Sequence, residues 1–355
     1  MSKDHLRVGI ITEPITSGHL GYWFNSLAGC QGIEQVAVAD QSGQAFGEAR
    51  TALGRFAADL VTFQDYREML KDFRPELVLV SLEAHHAPEA IRAVLESGVH
   101  VLAEKPACVR AEDFGKLVHL AESRERYLML AFACRLLPTV TKARELIGSG
   151  FLGKCYGADL FTMADQTRRQ DPEYQQSWYG FRDQAGGGHL IWLGIHLLDL
   201  IQFITGTRLE QVCGFTHRLA DSPMETEDAA AVAMRFENGC MATLHSGYYL
   251  QHYYQSQLII WGSRGWLRFA GNTGFFETPL QWYSSHADAP EGVQNFPFAP
   301  EPETTVGYQA FVQAAVEAAA GKVSPPVTGR ECLHVLRTVY SLYRAAETGV
   351  TQTIA

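Results

Sequence analysis

No apolar run in this sequence approaches the ~20 residues needed to cross a bilayer. The opening MSKDHLRVGI enters a strand pattern without the long apolar segment of a secretory leader. A positive charge excess is missing too: 29 Lys and Arg stand against 39 Asp and Glu, a formal net charge of -10, with no long run of either sign. Nucleic acid and membranes are therefore poor partners, and a cytoplasmic protein is expected. The seven cysteines, Cys30, Cys108, Cys134, Cys155, Cys213, Cys240 and Cys332, form no C-x-x-C pair and are odd in number. That argues for reduced thiols in a core, against a disulfide framework. The 13 histidines show no H-E-x-x-H or comparable ligand spacing, so no metal site is expected. Low-complexity tracts and internal repeats are absent as well.

What is present is a chain of 355 residues, too long for one small core, with two textures. In the first third, aliphatic runs at Leu6 to Ile11, Glu34 to Asp40, Glu76 to Ser81, Val99 to Lys105 and Tyr127 to Ala133 alternate with amphipathic stretches such as Ala87 to Glu96 and Ala111 to Glu122. Such alternation implies right-handed βαβ crossovers: an α/β, Rossmann-type, doubly wound parallel sheet over residues 1–133. After Pro138, a helix at Thr139 to Ile147 precedes longer strand patterns, YGADLFTM, AAAVAMRF, CMATLHSGYY, SQLIIWG and GWLRFAG. Turn signals at ENG and GSRG make these strands mainly antiparallel. Helical patterns at Tyr308 to Ala320 and Glu331 to Ala346 close the chain. Residues 134–355 are thus expected to be an α+β domain with a large open sheet. Its free face suits a subunit partner, in a homodimer or homotetramer.

Ligands of doubly wound sheets bind beyond the carboxyl ends of the strands. After VGII a dinucleotide site usually carries G-x-G-x-x-G, because glycines let backbone N–H groups approach a pyrophosphate. Here the stretch is TEPITSG, with Thr12, Pro14 and Ser17 in place of the three glycines and Glu13 bringing negative charge. Either the Thr12, Thr16 and Ser17 hydroxyls and the following helix N-terminus hold a pyrophosphate, or the cofactor has been lost. Asp40 ends the second strand, where a carboxylate accepts hydrogen bonds from the adenosine ribose and repels a 2'-phosphate, favouring NAD over NADP. The alternative is that Asp40 merely opens the turn DQSG.

A buried strand then runs into Glu104-Lys105-Pro106, setting a lysine at a strand's carboxyl end. At this point the sequence resembles the glucose-fructose oxidoreductase and inositol dehydrogenase (Gfo/Idh/MocA) family, in which E-K-P has the same setting. The resemblance extends through VLVSLEAHHAPEAIRAVLESG, CRLLP, IGSGFLGK, GGGHLIWLGIHLLDL, EDAAAVAMRFENG and WGSRGWLRF, across nearly the whole chain. It implies a Rossmann domain, a substrate domain and NAD(P)-linked oxidation or reduction of a secondary alcohol, usually on a sugar or polyol. It places Lys105 near the nicotinamide and the substrate hydroxyl, with Glu104 and Pro106 beside the cofactor and Pro106 often cis. His85 and His86 follow the ELVLVS strand. The family has a histidine at the place of His86, where packing at a helix N-terminus under the cofactor is implied.

GGGHLIWLGIH leads three glycines into an apolar helix. At 100° per residue, Trp192, His196 and Asp199 share one stripe and His189 lies above His196 two turns earlier. The surrounding residues are apolar all round, so the helix is expected to be buried. An imidazole there is either a core histidine satisfied by Asp199 or a carbonyl, or a proton acceptor. The resemblance implies the second: His196 takes the hydroxyl proton while Lys105 polarises that hydroxyl. This requires residues 105 and 196 to approach one nicotinamide. Where the family often has an aspartate four residues before the histidine, this chain has Trp192, which relays no proton but suits stacking on a sugar ring.

Arg135, in the family's R-x-x-P position, either shapes the site or makes a domain-linking salt bridge. Trp178, Tyr179 and Arg182 in QSWYGFRDQ suit a hydroxylated or carboxylated ring, or are mere surface. Asp199 and His189 complete the candidate substrate contacts. The expected activity is an NAD-dependent dehydrogenase or reductase of a sugar, glycoside or polyol. Two alternatives are a redox-neutral enzyme that keeps NAD bound and eliminates after transient oxidation, and an inactive sugar or nucleotide sensor.

Overall fold

The computed structural model describes residues 5–13, 19–271, 278–298 and 307–354. The chain divides into two compact units, Met1–Ala133 with Glu301–Leu333 and Cys134–Pro300 with His334–Ala355. The stretch 134–355 is therefore not one continuous domain. The reason is packing: the helix Tyr308–Ala319 buries Tyr308, Phe311, Val312, Ala315 and Val316, and lies against the helix Leu20–Gly29 of the first unit.

The first unit is a six-stranded parallel sheet of β1 (Leu6–Thr12), β2 (Ile33–Ala39), β3 (Val61–Phe63), β4 (Leu77–Ser81), β5 (His100–Ala103) and β6 (Leu128–Leu130). Its order is β3-β2-β1-β4-β5-β6. Strands buried on both faces must be aliphatic throughout, and Val8, Ile10, Val36, Val38, Leu77, Leu79 and Val101 are all buried. The half-exposed β3, with three residues, is too short to show a period. Strand order reverses between β1 and β4, which opens a crevice at their carboxyl ends.

The second unit carries a nine-stranded sheet: β7 (Cys155–Asp165), β8 (Leu209–His217), β9 (Ala229–Phe236), β10 (Met241–Leu250), β11 (Gln255–Gly262), β12 (Gly265–Gly271), β13 (Leu280–Ser284), β14 (Gln294–Phe296) and β15 (Gln352–Thr353). The order is β14-β13-β12-β11-β7-β10-β9-β8-β15, antiparallel except for the central β7–β10 pair. Alternation sorts its faces: Ala230, Val232, Met234 and Phe236 of β9 point inward, while Ala231, Ala233 and Arg235 point outward. On the outer face Phe215 and Met241 are exposed. The helix Ile195–Thr205 packs on β7 and on the helix Pro138–Gly148.

The helical run Arg182–Thr205 is long and apolar enough to cross a membrane by length and composition, contrary to the reading of the sequence by runs. Its apolar window is 72% buried in the protein itself, as the all-round apolar pattern requires of a core helix.

Candidate active site

In the first unit, a cavity of about 470 Å³ opens beyond the carboxyl ends of β1, β2 and β4, at the switch point. Ile11, Thr12, Gln41, Tyr66, Arg67 and His86 are among the residues lining it. Thr12 ends β1, and its hydroxyl lies 3.4 Å from the Glu13 carbonyl. Pro14 and Ser17 lie outside the described residues. Glu13 turns away from a free-anion role: its carboxylate accepts the Glu83 N–H at 2.7 Å and lies 3.1 Å from His86 Nδ1. His86 is the residue before the helix Ala87–Glu96, as expected of it, and packs on the His85 ring. Glu83, His85 and His86 also bring potential metal-ligand atoms within 4.8 Å of one another, a grouping that no sequence spacing announced.

Asp40 is where expectation and structure part. Its carboxylate is buried and turned into its own loop, accepting from Ser42 N–H at 3.0 Å, Ser42 Oγ at 2.9 Å and Ala45 N–H at 2.8 Å. It shapes the DQSG turn and the start of the next helix, which is the alternative reading of that residue. Asp40 does not line the cavity; Gln41 does.

At the end of β5, Glu104 and Lys105 are both buried, at 5% and 4% exposure. The Lys105–Pro106 peptide is cis. Two charges so deeply placed need each other, and Lys105 Nζ lies 3.9 Å from Glu104 Oε1. Glu104 gathers more: the Lys105 N–H donates to it at 3.2 Å, His19 Nδ1 lies 3.4 Å away, and the Tyr308 hydroxyl donates at 3.4 Å. Burial alone would raise the Glu104 pKa, but His19 and then Lys105 outweigh it and hold the carboxyl below its usual range. It is therefore a carboxylate at neutral pH. His19 and Tyr308, 289 residues apart, belong to this cluster, and no sequence signal linked them to Lys105.

In the second unit two of the three glycines have a steric reason. A Cβ at Gly188 would stand 1.8 Å from the Glu227 carbonyl oxygen, and one at Gly187 would stand 2.1 Å from the Tyr343 hydroxyl. The backbone comes this close because the buried Glu227 carboxylate binds it, accepting from the Gly188 and Leu190 N–H groups and from the Tyr343 hydroxyl. Burial raises the Glu227 pKa, against the pull of those hydrogen bonds. In the sequence Glu227 carries no local signal beyond its place in the family-like stretch EDAAAVAMRFENG.

The helix that follows begins with a π turn, Leu190–Gly194, before the α-helix Ile195–Thr205. The wheel drawn at 100° per residue therefore does not hold across Trp192. His189 is wholly buried, its Nδ1 hydrogen bonded to Ser246 Oγ at 2.6 Å, so it supports the helix rather than facing substrate. Burial, then Arg168 and Arg169, lower its pKa to about 3 and keep it neutral. Asp199 is buried too, and both its oxygens accept from Arg135, with Nε at 2.9 Å and Nη2 at 2.6 Å. Arg135 thus makes a salt bridge, but within the second unit rather than between domains.

His196 and Trp192 are half-buried. Trp192 donates its indole N–H to the Gly187 carbonyl at 3.1 Å and meets Trp178 and Tyr179 edge-on, at 4.9 and 5.0 Å between rings. Trp178 and Tyr179 stack at 4.0 Å, and Tyr174 continues the stack at 5.1 Å. Arg182 does not complete this wall as expected. Its guanidinium is bonded to Glu347 and lies over Tyr343. A different arginine, Arg168, donates to the Tyr254 hydroxyl and stands 5.9 Å from the Tyr248 ring, with no local sequence signal marking it.

The N-terminal model of the Gfo/Idh/MocA oxidoreductases, an NAD-binding Rossmann fold, matches residues 6–132, and a C-terminal model of the same family matches residues 140–268. An uncharacterized oxidoreductase of Synechocystis sp. is 25% identical over 62% of this chain and 63% of its own length. A 1,5-anhydro-D-fructose reductase of Ensifer adhaerens is 24% identical, over 79% of this chain and 80% of its own length. The chain thus spans less than two thirds of the first of these relatives. The WlbA dehydrogenase of Bordetella pertussis, solved with NADH and UDP-GlcNAcA, shares the fold at a TM-score of 0.83 and 21% identity, covering 100% of this chain and 99% of that one. With a doubly wound sheet carrying Glu104-Lys105-Pro106 and an open-sheet unit carrying the glycine-led His196 helix, the chain belongs to the Gfo/Idh/MocA oxidoreductase family.

Proposed function

We propose that this chain is an NAD-dependent oxidoreductase that moves hydride between a secondary alcohol of a sugar, glycoside or polyol and a nicotinamide. The observation that carries the proposal is the crevice at the β1–β4 switch point, with a buried, carboxylate-paired lysine at the end of a neighbouring strand of the same sheet. The volume and polar lining of that cavity suit part of a dinucleotide, with Thr12, Gln41 and His86 as the holding side chains. Bound there, the dinucleotide supplies the hydride acceptor or donor. We take it to be NAD, since Arg67, which lines the cavity and would otherwise suit a 2'-phosphate, is paired with Glu89 at 2.6 Å.

The chain's own groups handle the proton. The Lys105 ammonium, paired with Glu104, donates a hydrogen bond to the substrate oxygen and stabilises negative charge developing there. A neutral His196 accepts the hydroxyl proton at a ring nitrogen and returns it in the reverse direction. Trp192, flanked by Trp178 and Tyr179, offers an apolar face to the substrate ring. The outer sheet face, with Phe215 77% exposed and Met241 66% exposed, is our candidate for self-association into a homodimer or homotetramer. A Phe215→Glu, Met241→Glu variant that keeps the wild-type mass in solution would remove that part of the proposal.

Calorimetric titration with NAD and NADP, followed by NADH measurement across a panel of sugars and polyols, tests the reading. We expect NAD binding, NADH accumulation, and loss of turnover in Lys105→Ala and His196→Ala. No binding of either dinucleotide at millimolar concentration would overturn it in favour of a sensor, and glycoside cleavage without NADH would replace it with the redox-neutral reaction.

A further inference from the structure

Arg168 lies in the turn Thr167–Gln170 that follows β7, and its side chain is exposed. Among the described residues no carboxylate lies within ion-pair distance of it. Its partners are phenols: the guanidinium donates to the Tyr254 hydroxyl, has Tyr174 beside it and stands 5.9 Å from the Tyr248 ring. Tyr174 and Tyr248 are themselves neighbours, so the guanidinium sits among three phenols. Neutral phenols hold a guanidinium in place but leave its charge unbalanced. A guanidinium has five N–H donors in a planar fork, more than these partners engage.

A second arginine adds to the field. Arg169 is buried, donating Nη2 to the Thr226 carbonyl at 3.0 Å, and its nearest acid is Asp228 at 4.0 Å. That carboxylate is itself committed to the Leu219 and Ala220 N–H groups at 2.7 and 2.9 Å. The two arginines thus face one carboxylate, in a chain whose formal net charge is -10. The arginine cluster adjoins the aromatic wall through Tyr174, which lies beside Arg168 and stacks on Tyr179, which in turn meets Trp192.

We propose that the substrate carries an anionic group, a carboxylate or a phosphate on the sugar or polyol, which Arg168 takes in its fork with the help of the Tyr174 and Tyr254 hydroxyls. This rests on the oxidoreductase reading for the sugar or polyol part. The fork matches either anion with two parallel hydrogen bonds, and a bound phenol can also donate to an anionic oxygen. Trp192 then faces the ring while Arg168 fixes its charged substituent.

The test pairs anions with a neutral sugar of the same ring: D-glucuronate and D-glucose 6-phosphate against D-glucose, with the corresponding galactose and mannose series. Binding to the NAD-loaded protein is read by calorimetry and turnover by NADH. We expect one anionic class to be favoured over the neutral sugar by about 10- to 100-fold. Which class wins identifies carboxylate or phosphate. Arg168→Gln should abolish the preference, bringing the anionic sugar down to the affinity of the neutral one, and Arg168→Lys should retain part of it. Neutral sugars bound as well as both anions, no heat with any member of the panel, or an Arg168→Gln variant that keeps the preference would overturn the proposal. If NADH never forms while calorimetry still favours an anion, the dehydrogenase reading fails and the anion site stands.

Discussion

Arg135 and Asp199, 64 residues apart in the chain, form a buried pair in which Nε and Nη2 of the arginine reach both carboxylate oxygens within 2.6 to 2.9 Å. The pair ties the turn Ala133–Leu136 to the helix that carries His196. Removing one partner leaves an uncompensated buried charge, which costs about 3–5 kcal/mol. We expect Arg135→Ala and Asp199→Ala to lose stability on that scale in urea unfolding. The double variant Arg135→Met, Asp199→Leu should recover most of the loss. Single variants as stable as wild type would show that the pair does not hold the helix.

Gly188→Ala is expected to be more damaging than its size suggests. The added methyl would meet backbone, the Glu227 carbonyl oxygen, which cannot swing aside as a side chain would. The Gly188 and Leu190 N–H bonds to Glu227 would be displaced, orphaning a buried carboxylate. Little folded protein by circular dichroism, or a stability loss above about 3 kcal/mol, is the expected outcome. A fully stable variant would contradict the close approach.

Acid should destabilise the fold before its carboxylates titrate. His189 has its pKa lowered to about 3 by burial and by Arg168 and Arg169, and His100 has its pKa lowered to about 4 by burial and Arg126. The unfolded chain takes up these protons near pH 6.5, whereas the folded chain does so only near pH 3 to 4. Stability is therefore fully present above about pH 6.5 and falls as pH drops through that window, by up to about 1.4 kcal/mol per pH unit for each group. His189→Leu should remove one proton's share of that slope. An unchanged slope would mean that His189 protonates in the folded protein as freely as in the unfolded chain.

Asp40 shapes its turn through three acceptor contacts, and Asp40→Ala is expected to cost about 1–2 kcal/mol in thermal or chemical unfolding. Full stability in that variant would return the residue to a purely ligand-facing role.

How far the sequence could be read depended on whether a feature is local. The strands β1, β2, β4 and β5 are continuous aliphatic runs and β9 alternates with period two, so burial itself writes them into the sequence. The three-residue β3 and two-residue β15 carry no period. Lys105 stood out because a lysine at the end of an aliphatic strand is locally anomalous. Its companions Tyr308 and His19 did not, since only the return of residues 307–320 brings them together. The single stripe drawn through Trp192, His196 and Asp199 did not survive, for two reasons. A π turn breaks the 100° wheel, and Arg135, distant in sequence, claims the aspartate. Arg168 was overlooked because the tyrosines that expose its meaning lie up to 86 residues away.

The most direct measurement is the fate of a carbinol deuteron. Incubating the protein with NAD and a sugar or polyol deuterated at its reacting carbon, then weighing the cofactor by mass spectrometry, follows the transferred hydrogen itself. We expect label in the nicotinamide with the wild-type protein, and transfer slowed by about 10²- to 10⁴-fold in both Lys105→Ala and His196→Ala. A cofactor that never acquires label while the substrate is converted, or variants that transfer it at the wild-type rate, would contradict the assignment.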